Sequence, residues 1–207
     1  MNKPYIIGLT GGIAMGKSNI SRALRNEGCA IVDADEISRD ITKESGIALP
    51  KIRQAFGDLV FLEDGTLDRK ALSQVVFSNE EALAKLNAIT HPLIIEIAKK
   101  QIEEHYQNGH KVVVMDAPLL FEAGLDKQCD EVWSAYVPQA IQLQRITKRD
   151  DVTRKEAMQR IKAQLSPILR KKQSTHVIDT RCTKEETMAN VFRLFKAVCE
   201  KLDKENA

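Results

Sequence analysis

The chain has 207 residues, 29% of them charged and 43% hydrophobic, with a formal net charge of +2 at pH 7. That length suits one compact domain with inserted subdomains, able to bury about 70% or more of its unfolded surface, and the near-neutral balance excludes a global field built for nucleic acid. Cys29, Cys129, Cys182 and Cys199 show no C-x-x-C spacing, so neither a zinc site nor a disulfide framework is indicated; a reduced, cytoplasmic setting is expected, and no apolar run approaches a membrane span.

Lys3 and the apolar residues after it superficially resemble a signal peptide. Four glycines break that stretch before Lys17, so none is expected. Tyr5 to Leu9 reads instead as a short buried strand. From Gly11 to Ser18 the chain runs G-G-I-A-M-G-K-S, which matches the phosphate-loop pattern G-x-x-x-x-G-K-[ST]. Its glycines let backbone N–H groups turn inward around an anion. A helix opening near Lys17 points its positive end at the same place. Gly11, Gly12, Ile13, Ala14, Met15, Gly16, Lys17 and Ser18 are therefore the expected nucleoside-triphosphate site. Lys17 is expected to reach the β- and γ-phosphates and Ser18 to ligate Mg²⁺. The alternative is a chance Gly-rich turn, but the strand before it and amphipathic Ile20 to Leu24 after it supply the required context. The loop alone does not separate a kinase from a GTPase switch or a motor.

Further β-prone runs follow at Cys29–Asp33, Lys111–Met115, Glu131–Val137 and His176–Asp179. Strands alternating with helices predict a parallel sheet of five strands covered on both faces. The roughly eighty residues from Asp33 to Lys111 read as mainly helical and exceed a simple crossover, so they form an insertion. Helix starts are marked by Asp33/Glu36, Ser78/Glu81, Thr153/Glu156 and Thr183/Glu186. Thr90-His91-Pro92 interrupts the helical pattern from Glu80 to Tyr106, and Pro92 suits the start of a second helix. Met188, Val191, Phe195, Val198 and Leu202 form the buried stripe of a last helix.

Charge is uneven. From Arg145 to Lys172 ten Lys/Arg face three acids, a local excess of seven positive charges, so the rest of the chain carries a net five negative. This basic stretch reads as a second insertion, a helical hairpin, and suits a polyphosphate better than a long polyanion. One insertion to hold an acceptor and one to close over phosphates suggest a phosphotransferase.

Ligands of an α/β sheet gather at the carboxyl ends of its strands. There the sequence places Asp33-Ala34-Asp35, Asp116 to Glu122, and Asp179-Thr180-Arg181. Asp33 or Asp35 is a candidate general base. Asp33 also has the spacing of a helix cap, which favours Asp35. Asp116, after Val-Val-Val-Met, is placed to hold Mg²⁺ through water, with strand-end capping as the alternative. Arg145 and Arg149 lie at i and i+4 on one helix face and suit the spreading charge of a transferring phosphoryl group. For Lys148, Lys155 and Lys171 a solvated face is the simpler reading. His91 alone reads as a packed histidine.

Seven segments carry a resemblance over about Ile6 to Phe195: I-G-L-T-G-G-I-x-x-G-K-S at 7–18, V-D-A-D-E-I-S-R at 32–39, L-D-R-K-A-L at 67–72, T-H-P-L-I at 90–94, D-A-P-L-L-F-E at 116–122, Q-x-x-R-I-x-x-R-D at 142–150 and R-I-x-x-Q at 160–164. In this order they resemble the dephospho-CoA kinase family. Departures are Ala14-Met15 where the family usually has Gly-Ser, Asn19 for a common Thr, and Asp179-Thr180 where I-D-N is commoner.

The resemblance implies a P-loop NTPase-type α/β fold with helical acceptor-binding and lid insertions. It divides the chain into a core at 1–34, 111–144 and 173–207, an acceptor subdomain at about 35–110 and a lid at about 145–172. It implies transfer of the γ-phosphoryl of ATP to the ribose 3′-hydroxyl of dephospho-CoA, with Mg²⁺. Asp35, Lys17, Arg145, Arg149 and Asp33 would be catalytic, and Arg149 and Arg181 would join the phosphate loop in ATP binding. Asp35, Arg39, Arg69, His91, Pro92, Asp116 and Leu119 would bind the acceptor, and Ser18 and Asp116 the metal. The expected partners are ATP and dephospho-CoA, without nucleic acid or membrane, for a monomer or weak homo-oligomer.

Two other classes fit less well. A nucleoside or nucleotide monophosphate kinase shares the core, lid and insertion but not the seven segments. A GTP switch needs N-K-x-D late in the chain, and the only N-K is Asn2-Lys3, followed by Pro4-Tyr5. The basic hairpin has no Phe, Tyr or Trp between 145 and 172, hence no stacking platform for bases.

Overall fold

A computed structural model of the chain describes residues 3–77 and 79–205. Along it run β1 (Tyr5–Thr10), α1 (Lys17–Asn26), β2 (Ala30–Asp33), α2 (Ala34–Ile41), α3 (Leu49–Phe56), α4 (Arg69–Phe77) and α5 (Glu80–Gln107). They are followed by β3 (Val112–Asp116), β4 (Glu131–Tyr136), α6 (Gln139–Asp150), α7 (Arg154–Lys162), α8 (Pro167–Gln173), β5 (His176–Asp179) and α9 (Lys184–Glu205). The chain divides into two compact units, residues 33–101 and residues 1–32 with 102–207.

The larger unit is built on a five-stranded sheet in the order β2-β3-β1-β4-β5. β1 runs parallel to β3 on one side and to β4 on the other, with Leu9 opposite both Asp116 and Trp133. A strand flanked on both edges and covered on both faces has no polar side to show, which accounts for the apolar run from Tyr5 to Leu9. Ile7, Leu9, Val114 and Trp133 join Ile20, Leu24, Val191, Val198 and Leu202 in one core, and α1 packs on α9. The crossover leaving β1 goes to one side of the sheet and that leaving β4 to the other. Their carboxyl ends therefore flank the crevice in which such sheets bind ligands.

Local signals account for several boundaries. Thr153 and Glu156 form a reciprocal capping box at α7. Thr183 and Glu186 do the same before α9, at 2.9 and 3.2 Å. Asp33 caps α2 by accepting from the N–H groups of Asp35 and Glu36 at 2.8 and 3.1 Å. Ser78 lies outside the described residues; Asn79 caps the following helix by accepting from Glu81 and Ala82.

Two expectations are corrected. Pro92 starts no second helix: the 28-residue α5 runs through it unbroken. Its missing N–H and ring clash cost about 3 kcal/mol or more, but Thr90, Ile94 and Ala98 form a buried row at four-residue spacing on both sides of it, and that packing keeps the helix whole. Met188 is not part of the buried stripe of α9. It is 37% exposed, and Thr187 is buried instead, held by the Thr183 carbonyl at 2.9 Å and close to Cys182 Sγ at 3.3 Å.

Candidate active site

β1 delivers the chain into the loop from Gly11 to Gly16. Gly16 is the N-cap of α1, and among the described residues no side chain caps that helix. Asn19 N donates to Gly16 O at 3.0 Å, and the N–H groups of Lys17 and Ser18 stand at the positive end of the helix, where an anion binds. The loop is closed on itself by Met15 N donating to Gly12 O at 3.1 Å. Gly16 has φ 87°, and a Cβ there would stand 2.8 Å from Thr180 Oγ1; both facts require glycine. At Gly12 a Cβ would stand only 3.1 to 3.3 Å from Gln164 Oε1, Arg170 Nη1 and Gln142 Nε2. Ala14 adopts φ 57°, a left-handed conformation that costs an L-residue roughly 1–2 kcal/mol. Met15 turns its side chain into the sheet core.

Lys17 Nζ donates to Asp116 Oδ1, with both side chains mostly buried. Leu9, opposite Asp116 in the β1–β3 register, leads into the loop, so the pairing puts a carboxylate beside the loop lysine. Ser18 is exposed in the first turn of α1. Among the described residues no group of three or more His, Cys, Asp or Glu is placed to hold a metal.

Arg145, half-buried on α6, reaches across to the end of β5. Its Nη2 donates to Thr180 O at 2.6 Å, and its Nη1 to Thr180 Oγ1 at 3.2 Å and Ala14 O at 3.4 Å. Thr180 Oγ1 in turn donates to Met15 O at 2.6 Å. Arg149, one turn on, is exposed and binds Asp150 at 2.7 and 3.1 Å; that hydrogen bond raises its pKa and lowers that of Asp150. Arg181 forks onto Asp179, and the bond holds the Asp179 carboxyl below its ordinary range. Leu119 is exposed in the segment after β3.

The remaining candidates belong to the smaller unit. Asp33 spends its carboxylate on the first turn of α2, while Asp35, inside that turn, is exposed. Arg69 Nη2 donates to Thr42 Oγ1 at 2.9 Å and to Arg39 O at 3.4 Å, which ties α4 to α2; Arg39 itself is exposed. His91 and Pro92 lie side by side within α5. Burial pushes the His91 pKa down.

Three residues at the loop were not singled out from the sequence. Gln164 Oε1 accepts from Ile13 N at 2.8 Å, Gln142 Nε2 donates to Ile13 O at 2.9 Å, and Arg170 is buried against Gly12. Gln142 and Gln164 stand inside the recurring segments Q-x-x-R and R-I-x-x-Q. Spacing alone gives no partner more than a hundred residues away.

Comparison with known proteins agrees with this arrangement. The family model described as dephospho-CoA kinase matches residues 5–186. A dephospho-CoA kinase of Shouchella clausii is 42% identical over 186 residues, covering 90% of this chain and 94% of that protein. The solved structure of a Thermus thermophilus protein superposes with a TM-score of 0.80 at 28% identity, covering 97% of this chain and 99% of the other. That of dephospho-CoA kinase from Campylobacter jejuni gives 0.68 at 25% identity, with 98% of each chain covered. With its phosphate loop, its parallel sheet and a family match over most of its length, this chain belongs to the dephospho-CoA kinase family.

Proposed function

We propose that this protein transfers the γ-phosphoryl group of ATP to the 3′-hydroxyl of the dephospho-CoA ribose, giving CoA and ADP, the last step of coenzyme A synthesis. It does so in the cytoplasm, as a monomer or weak homo-oligomer. The observation that carries the reading is the uncapped start of α1 behind a glycine loop, next to the Lys17–Asp116 pair, in a chain of this family.

Gly11 to Ser18 hold the phosphates through backbone N–H groups, and Lys17 supplies a cation to the β- and γ-phosphates. Asp35 takes the proton of the acceptor hydroxyl, because Asp33 is committed to its helix cap. The residues 35–110 bind the acceptor, with Arg39, Arg69, His91, Pro92, Asp116 and Leu119 as contacts. The residues 145–172 form the lid, whose Arg145 and Arg149 serve the transferring phosphoryl group; Arg149 and, beyond the lid, Arg181 contact ATP, and Arg145 also fixes the loop. The oxygen donors beside the loop, the Ser18 hydroxyl and the Asp116 carboxylate, fit Mg²⁺, which takes few protein oxygens and keeps waters. When bound, the ion neutralises charge that builds on the phosphate oxygens.

An acceptor panel with labelled ATP tests this reading. Dephospho-CoA is expected to be phosphorylated with release of ADP while nucleoside monophosphates stay inert. Preference for a nucleoside monophosphate overturns it.

A further inference from the structure

The guanidinium of Arg170 is out of place by ordinary rules. It comes from α8, at the basic end of the segment 145–172, where charged side chains are expected in solvent. Yet its side chain is only 2% exposed, and its Nε and Nη2 have no hydrogen-bond partner among the described residues. Glu122 faces it, but Oε1 lies 3.6 Å from Nη2, too far for a hydrogen bond, and that oxygen already accepts from Leu165 N at 3.1 Å. A buried cation with an incomplete partner opposes folding. A rule broken in this way marks a site where function outweighs stability.

What the cation adjoins is the phosphate loop. Nη1 is 3.3 Å from the point where a Gly12 Cβ would stand, so the absent side chain of Gly12 is what lets the charge come so near. The neighbouring residue is clamped: Gln164 takes the N–H of Ile13 and Gln142 its carbonyl. Ile13 and Ala14 also pack on Leu143, Ile146, Ala157 and Ile161 of α6 and α7. One face of the loop is thereby held by the segment from α6 to α8, with a full positive charge behind it.

We propose that Arg170 is a positioning residue of the phosphate site, a buried guanidinium that braces the Gly12–Ile13 edge and lends a polyphosphate bound on the far side an unscreened positive charge. The proposal rests on the reading of Gly11 to Ser18 as the ATP site. Because the charge is shielded from solvent, its attraction is strong and weakly dependent on salt.

The test compares Arg170→Met, which keeps bulk and removes charge, with Arg170→Lys, which keeps charge. ATP and inorganic triphosphate binding are measured by calorimetry, alongside Tm and the KM for dephospho-CoA. Arg170→Met is expected to weaken both polyphosphates by roughly ten-fold or more, the size of one charged interaction. Its Tm is expected to hold or rise, because a buried charge with an incomplete partner is gone while Glu122, 29% exposed, stays open to water, and its KM for dephospho-CoA to stay at the wild-type value. Arg170→Lys is expected to recover most of the lost affinity. Wild-type affinity in Arg170→Met overturns the proposal. So does a fall in Tm with equal damage to both substrates and no rescue by lysine, which would make Arg170 mere packing. A wild-type protein that binds no ATP overturns the parent reading as well, so the two failures are distinguishable.

Discussion

Arg145 grips Thr180 twice, at its carbonyl and at its hydroxyl, and Thr180 passes the connection to the Met15 carbonyl of the phosphate loop. Arg145 therefore joins the strand end at β5 and the helix α6 to the loop, beside the bond that Gln142 makes to Ile13. Removing Arg145 leaves the Thr180 and Ala14 carbonyls short of a charged donor. Arg145→Ala is expected to lower stability by about 1–3 kcal/mol, measured by urea unfolding, and to raise the KM for ATP. Thr180→Val, which removes the hydroxyl's bonds to Met15 O and from Arg145 Nη1 but keeps the carbonyl's bond from Arg145 Nη2, is expected to raise the KM for ATP with a smaller loss of stability.

Ala14 offers a test in the opposite direction. Its φ of 57° suits glycine, the residue that the resemblance leads one to expect at that position. Ala14→Gly is expected to relieve roughly 1 kcal/mol of strain, less the entropy that glycine adds to the unfolded chain. Thermal unfolding is therefore expected to show a Tm equal to or above wild type, with ATP binding retained.

The two aspartates of D-A-D separate by different readouts. Asp33→Asn keeps an oxygen for the α2 cap, so stability and kcat are expected to stay near wild type. Asp33→Ala loses the cap and about 1 kcal/mol. Asp35→Asn is expected to lower kcat by on the order of 10²-fold or more while ATP still binds. A larger kcat loss in Asp33→Asn than in Asp35→Asn would assign the base to Asp33.

Burial lowers the His91 pKa from its ordinary 6.5. The unfolded chain therefore binds a proton that the folded chain resists, and the linkage makes stability rise with pH. The contribution is complete above 6.5 and is lost as the pH falls below it toward the depressed folded value. Between about pH 5 and 7 the stability of His91→Gln, followed by urea unfolding, is expected to change less steeply than that of wild type.

What could be read from the chain was what is written locally. The strand before Gly11, the glycine loop and the Thr153 and Thr183 caps depend on neighbours a few residues away, and each appears in the structure. The continuity of α5 through Pro92 was not legible, because it depends on the burial of Thr90, Ile94 and Ala98, which packing and not local sequence decides. The same holds for Met188 and Thr187, which exchange places where α9 begins. Arg170 reads in the sequence as one more charge in a basic stretch, and only tertiary packing reveals that it is buried against Gly12. Arg145 reads in the sequence as a partner of the transferring phosphoryl group, and its bonds to Thr180 and Ala14 were not legible.

The most direct test of the account is phosphorus NMR of the product made by the purified protein from ATP, Mg²⁺ and dephospho-CoA, with Lys17→Ala as control. A new phosphomonoester on the ribose 3′-oxygen is expected, formed with one equivalent of ADP and absent with Lys17→Ala. A product phosphorylated elsewhere, or equal turnover by Lys17→Ala, would contradict it.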